Sequence, residues 1–292
     1  MGTPRVYRTP AIVLRRHNFG EADRVLTLYS PLHGKFRAVA KGARRPKSRL
    51  GGHVELFTHV NLLVAQGRSL DIVTQAETMR PFGHLREDLW KAAYACYAVE
   101  MVDRFTPERL EQSAIFDLLL EVLTYLDQLG TSAAPGEVRD GSDLAGEVEL
   151  AMRSFELHLL GQLGYSAELY QCVQCGRRLV PEENRFSAAL GGVLCATCGS
   201  MQPSARLISV NAIKAMRLLG AEPLAVVPRL RLPIDAALEV EGALRAHVNA
   251  LQMDQLRTSE FLDRLKSDRQ REFRAAIAPE RDKGELGVTL AG

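Results

Sequence analysis

Apolar and polar residues alternate with a period of two over much of the first eighty positions, the spacing of half-buried strands. Ile12–Arg16 is a short apolar run ending in two arginines, and the turn HNFGEAD follows it. Arg24–Ser30 predicts a second strand, closed by PLHG. In Lys35–Lys41, Phe36, Ala38 and Ala40 point one way, and Lys35, Arg37 and Lys41 point the other, with Val39. Val54–Ala65 predicts a longer strand, with Val54, Leu56, Val60, Leu62 and Val64 on one face and Glu55, Phe57, His59 and Asn61 on the other. A QGRS turn leads to a fifth strand, Leu70–Ala76. Short strands with glycine at several turns fit a small barrel of the oligonucleotide-binding (OB) type, or an SH3-like barrel of similar pattern.

From Gly83 the period becomes helical, with Leu85, Leu89, Ala92, Ala93, Cys96, Val99 and Val102 on one face. A second helix is expected to carry Pro107 in its first turn and to run through LEQSAIFDLLLEVLTYLDQLG to Gly130. TSAAPGEVRDGSD reads as a loop, and Leu144–Leu163 as a third helix. Ala212–Leu219, Asp235–Leu251 and Ser259–Leu265 predict further helices, and the mixed charges from Ser267 predict a frayed tail. The expected fold is α+β: an OB-fold barrel over residues 1–80, a helical domain over 81–266 with a cysteine-bearing insertion at 170–200, and a flexible tail over 267–292. Trp90, Cys96 and His158 fall within helices and read as core or surface filler.

Charge sharpens this division. The 292 residues carry a net charge of only +2, yet residues 1–80 hold 14 Lys or Arg against 5 Asp or Glu, and the remainder holds 23 against 30. A basic first part joined to an acidic second part suggests that only the first meets a polyanion. In AVAKGARRPKSRLGG, residues 38–52, five cations (Lys41, Arg44, Arg45, Lys47 and Arg49) fall within nine residues without an acid among them. This basic hook extends the face on which Lys35, Arg37 and Lys41 stand. A cationic groove with aromatic platforms is how single-stranded nucleic acid is bound. Phe57, Tyr29 and Phe19 are the candidate platforms, with packing against a neighbouring domain the other reading of Phe57.

Four of the five cysteines form two C-x-x-C pairs, Cys172/Cys175 and Cys195/Cys198, each followed by a glycine that suits a tight turn. Four thiolates aimed at one centre make a closed tetrahedral Zn2+ site, structural because no position is left for water. The odd cysteine count and paired spacing point to a reducing compartment. No apolar run approaches the roughly 18 residues of a membrane helix, MGTPRVYRTP has no signal-peptide core, and Val6 breaks the myristoylation pattern. A cytoplasmic protein is expected.

No phosphate loop, G-x-G-x-x-G, G-x-S-x-G or H-E-x-x-H occurs, and the histidines lack ligand spacing. Asp235, Glu239 and Glu241 are the nearest thing to a nuclease cluster, but they fall on a helix with a mixed surface and no basic partner is expected to be fixed beside them. No catalytic residue and no enzymatic activity are expected.

The order of these parts resembles the RecO family of bacterial recombination mediators. YRTPAIVLRRHNFGEADRVLTLYSPLHGKFRAVAKGARRPKSRLGG looks like its first three strands and lysine-glycine hook. SLDIVTQAETMRPFGHLREDL looks like its barrel exit and first helix, and LRTSEFLDRL like its last helix. The likeness covers about residues 5–266. It implies a protein that binds single- and double-stranded DNA and anneals complementary strands. It also implies work with RecR to load RecA on DNA coated by single-stranded-DNA-binding protein, at the bacterial nucleoid. Carried onto this chain, the DNA surface falls on Arg15, Arg16, Lys35, Arg37, Lys41, Arg44, Arg45, Lys47 and Arg49. The zinc ligands are Cys172, Cys175, Cys195 and Cys198. The rival readings are an RNA-binding or ribosome-associated factor and a metal-dependent nuclease.

Overall fold

The computed structural model describes residues 6–129, 141–251 and 256–277. Five strands, β1 (Val6–Phe19), β2 (Asp23–Ser30), β3 (Gly34–Ala40), β4 (His59–Ala65) and β5 (Asp71–Arg80), close a barrel in the order β1-β2-β3-β5-β4. All pairings are antiparallel except β3 with β5. This is the OB-like alternative. Ala11, Val13, Leu26, Leu28, Phe36, Ala38, Ala40, Val60, Leu62 and Val64 fill the interior, as the period-two pattern requires.

Three strands differ from their sequence-based expectation. β1 and β5 are longer, while β4 begins only at His59. The stretch before it cannot be strand because Phe57 adopts a left-handed backbone (φ 69°), with its N–H donating to the Val13 carbonyl at 3.0 Å. β1 also carries an irregularity between Val13 and Arg15. A bulge adds a residue and reverses which alternate side chains face outward. Ile12 and Leu14 face the helices, but beyond the bulge Arg15, His17 and Phe19 take the outer face, and Arg16 turns toward the barrel rim.

Helices follow: α1 (Gly83–Glu87), α2 (Leu89–Phe105), α3 (Ser113–Gln128) and α4 (Gly141–Gln162). Asp88 separates the first two and caps α2, accepting the Trp90 and Lys91 N–H groups at 2.8 and 3.0 Å. Pro107 lies outside α3, which begins only at Ser113: Glu108 bridges to Lys35 of β3 and Arg109 adopts a left-handed backbone (φ 61°) that no helix accommodates. The Arg109 N–H donates to the Lys35 carbonyl at 2.8 Å, and the Arg109 guanidinium sits over the Phe36 ring, covering one end of the barrel. Of the loop expected over 131–143, residues 141–143 begin α4 and the rest lie outside the described residues.

The insertion holds β6 (Asn184–Ser187), β7 (Gly192–Leu194), the single turn α5 (Ala196–Ser200) and β8 (Arg206–Ile208), with sheet order β7-β6-β8. The chain then returns to the helical body as α6 (Val210–Ala221), α7 (Ile234–Leu251) and α8 (Arg257–Ile277). α8 continues well past Ser267, where a frayed tail was expected; residues 278–292 lie outside the described residues. Its start is capped from α2, where the Glu100 carboxylate accepts the Arg257 and Thr258 N–H groups at 3.1 and 2.9 Å. One apolar core runs from Ile12, Leu14, Tyr29 and Phe57 on the barrel's outside through the helices to Leu262.

Candidate nucleic-acid interface and metal centre

The basic hook is an ordered structure. Gly42 N–H donates to Asp23 Oδ1 at 2.7 Å and Arg44 N–H to the Ala22 carbonyl at 2.9 Å, tying the hook to the β1–β2 turn. Successive turns follow, with Arg45 N–H to Gly42 O and Ser48 N–H to Arg45 O, and Ser48 Oγ accepts from the Leu50 and Gly51 N–H groups. Ala43, Leu50 and Val54 point inward and pack on the barrel core. The apolar residues of the hook therefore anchor it, and Lys41, Arg44, Arg45, Lys47 and Arg49 are left exposed. None of these five, nor exposed Arg37, forms an ion pair among the described residues.

The other three candidate cations are already paired. Arg15 reaches Asp103 of α2 at 2.8 Å, and Lys35, 12% exposed, lies 3.5 Å from the same carboxylate and also donates to the Asp103 carbonyl. Arg16 meets Glu55 at 2.6 Å, beside Arg24 at 2.8 Å from the same residue; together they cover the barrel rim beside the hook. Periodicity places Lys35 outside the barrel, but its outside is the seam with the helices. Among the candidate platforms, Tyr29 is fully buried and Phe57 is 2% exposed, both within the core shared with the helices. They are packing residues. Phe19, at the end of β1, is 60% exposed.

Sequence reading missed the joint at the opposite end of the barrel. Buried Asp71 accepts from Tyr7 Oη at 2.6 Å, from Arg109 at 2.7 Å and from the Gly67 N–H at 3.1 Å. Burial acts to raise the Asp71 carboxyl, but these hydrogen bonds and the Arg109 charge outweigh it and hold it below its ordinary value. Burial and the Asp71 contact push the Tyr7 phenol up to about 12. No local pattern links residues so far apart, and the same is true of Asp103.

The four cysteines of the pairs come together. Their sulfur atoms all lie within 4.8 Å of one another, with Cys175 and Cys195 4.0 Å apart; four thiolates about 2.3 Å from one zinc ion would sit about 3.8 Å apart. Cys172, Cys195 and Cys198 are buried and Cys175 is exposed. Burial acts to raise the Cys172 thiol, but the backbone N–H groups of Cys195, Cys175 and Gln174 outweigh it and draw it to about 6. Burial and the neighbouring sulfurs push Cys198 up to about 12. An all-thiol group of this geometry fits one tetrahedral metal ion. Gly176 (φ +71°) makes the left-handed turn its position suggested. Gly199 serves differently: it lies in α5, where an added Cβ would come within 3.0 Å of the Arg185 side chain.

Among the described residues, Asp235, Glu239 and Glu241 do not gather into a metal-holding group, and, against expectation, basic side chains are fixed beside Glu241. Glu239 accepts the Ser209 N–H at 2.5 Å, whereas Glu241 is held by Lys266 and Arg245 at 2.7 and 2.8 Å. Among the described residues, the cysteine cluster is the one group of His, Cys, Asp and Glu placed to hold a metal. No described helix is long and apolar enough to cross a membrane.

Comparison with known proteins agrees with this architecture. Family profiles described as "Recombination protein O N terminal" and "Recombination protein O C terminal" match residues 4–82 and residues 86–136 with 141–260. A DNA repair protein RecO of Roseiflexus sp. (strain RS-1) is 41% identical over 89% of this chain and 86% of its own length. That of Symbiobacterium thermophilum is 37% identical over 90% and 99%, and one of Dehalococcoides mccartyi 35% over 85% and 91%. The chain belongs to the RecO family of DNA repair and recombination proteins.

Proposed function

We propose that this protein is a non-enzymatic recombination mediator that binds single- and double-stranded DNA through its barrel and anneals complementary strands. The observation that carries this reading is the hook: four cations, Arg44, Arg45, Lys47 and Arg49, held out on an anchored frame with no carboxylate paired to them among the described residues. Arg37 and Lys41 continue the surface along β3. Arg15, Arg16 and Lys35 act mainly in joining parts of the protein, since their charges are already met. Annealing is opposed by repulsion between two phosphate backbones. A cationic surface neutralises phosphates, releases counterions and lets strands approach. Phosphate contacts carry no base information, so such binding is independent of sequence.

Specificity for coated DNA then comes from protein partners. In this reading they are RecR and single-stranded-DNA-binding protein, with loading of RecA as the outcome, in the cytoplasm at the nucleoid. The acidic balance of the helical body keeps that part off DNA and free for such contacts. The ion in the cysteine cluster is Zn2+, held by Cys172, Cys175, Cys195 and Cys198. When bound it supplies a structural cross-link, and the thiolates occupy every coordination position. Gel-shift and annealing assays on purified protein across a salt series test the reading. Binding and annealing that weaken steeply with salt support it, whereas preference for matched RNA, or magnesium-dependent cleavage, favours a rival.

A further inference from the structure

The outer face of β1, β2 and β3 is a grid set by strand register. Arg15 pairs with Thr27, and Thr27 with Arg37; His17 pairs with Val25, and Val25 with Val39. Phe19 pairs with Asp23 at the end of the hairpin, and Lys41 follows the last residue of β3. Phe19 and His17 are both exposed, and Phe19 lies at the turn to which the hook is tied. At 60% exposure the Phe19 ring is left largely to solvent, and the hook reaches the next residue, where the Arg44 guanidinium donates to the Gly20 carbonyl at 3.2 Å.

From this placement we infer that Phe19, with His17 beside it, is a base-stacking platform that makes the barrel select unpaired DNA strands over duplex. The inference rests on the DNA-binding reading above. The bulge after Val13 is what brings both rings to the outer face. Alternate residues of a strand stand about 6.6 Å apart, twice the 3.4 Å rise of stacked bases. Only a strand free to extend can lay successive bases on both rings. In a duplex the base faces are covered by their neighbours, so the rings meet nothing but backbone. The hook cations hold phosphates of either form, whereas the rings reward only the unpaired one. The Gly42 N–H holds the Asp23 carboxylate toward the hook.

The test measures binding of full-length protein to an oligothymidine and to a blunt duplex of equal length, for wild type, Phe19→Ala and Phe19→Trp. Phe19→Ala is expected to weaken single-strand binding roughly 5- to 100-fold, with duplex binding and the salt slope nearly unchanged. Phe19→Trp is expected to restore binding, its fluorescence quenched by the oligothymidine. Equal loss on both DNAs, or no loss on either, overturns the platform and leaves Phe19 as a contact for a protein partner. Wild-type protein that binds neither DNA overturns the DNA-binding reading itself.

Discussion

The Asp103 carboxylate lies 2.8 Å from the Arg15 guanidinium and 3.5 Å from Lys35 Nζ, so one acid of α2 holds two cations of the barrel. It joins the two parts of the protein and also takes both charges away from any phosphate. Asp103→Asn is expected to free Arg15, which is 56% exposed, and steepen the dependence of log affinity on log salt by about 0.7 for a single strand. Adding Arg15→Ala should return the slope to that of wild type. Lys35, nearly buried, loses its counter-charge, so urea unfolding should show about 1–3 kcal/mol less stability.

Replacing Arg44, Arg45, Lys47 and Arg49 together with alanine should weaken DNA binding and flatten its salt slope by up to about 3. Thermal stability should stay near wild type, because Ala43, Leu50 and Val54 anchor the hook and the four side chains are exposed, Arg44 adding only an exposed hydrogen bond to the Gly20 carbonyl. Fluorescence anisotropy over a salt series measures the first effect and calorimetry the second.

Cys172→Ser with Cys175→Ser, or treatment with a strong chelator, should lower stability by several kcal/mol, on the order expected for losing a structural metal. The DNA affinity of the folded full-length variant should stay within about twofold of wild type, since the ribbon supplies none of the proposed phosphate contacts. Metal analysis by emission spectrometry should find one zinc per chain in wild type and none in the variant.

The Asp71 joint makes stability depend on acid. The folded protein holds this carboxyl below its unfolded value, so its contribution is complete above about pH 4, the unfolded value. It is lost as pH falls through the folded value. Asp71→Asn should therefore destabilise the protein at pH 7 and reduce the acid dependence of urea unfolding. Arg109→Ala leaves a buried carboxylate without its cation and should cost about 3 kcal/mol at neutral pH.

Much of this was legible in local pattern. The interior of β3, the hook and the four sulfurs are each set by short-range spacing, and each stands where the spacing put it. What escaped depends on irregular backbone or on distant partners. Arg15 and Arg16 look alike in sequence, and a bulge sends one to the outer face and the other to the rim. Pro107 suits a helix start, but Arg109 takes a left-handed backbone (φ 61°) and gives its N–H to the Lys35 carbonyl of β3, so no helix runs through it. Phe57 and Tyr29 have the composition of stacking platforms, yet the apolar surface of the helices claims both. Ser267–Ile277 reads as a charged tail, while α8 enters it already capped by Glu100 and tied by Lys266 to Glu149 and Glu241.

In the proposed function, exposed cations of the barrel grip phosphate without bond chemistry. Equilibrium binding of a fluorescent oligonucleotide across a salt series measures it most directly. Log affinity is expected to fall linearly with log salt, with a slope for single strands of about −0.7 for each phosphate held, and the hook substitutions to make the slope shallower. Affinity that is absent even in dilute buffer, or that is indifferent to salt, would contradict it.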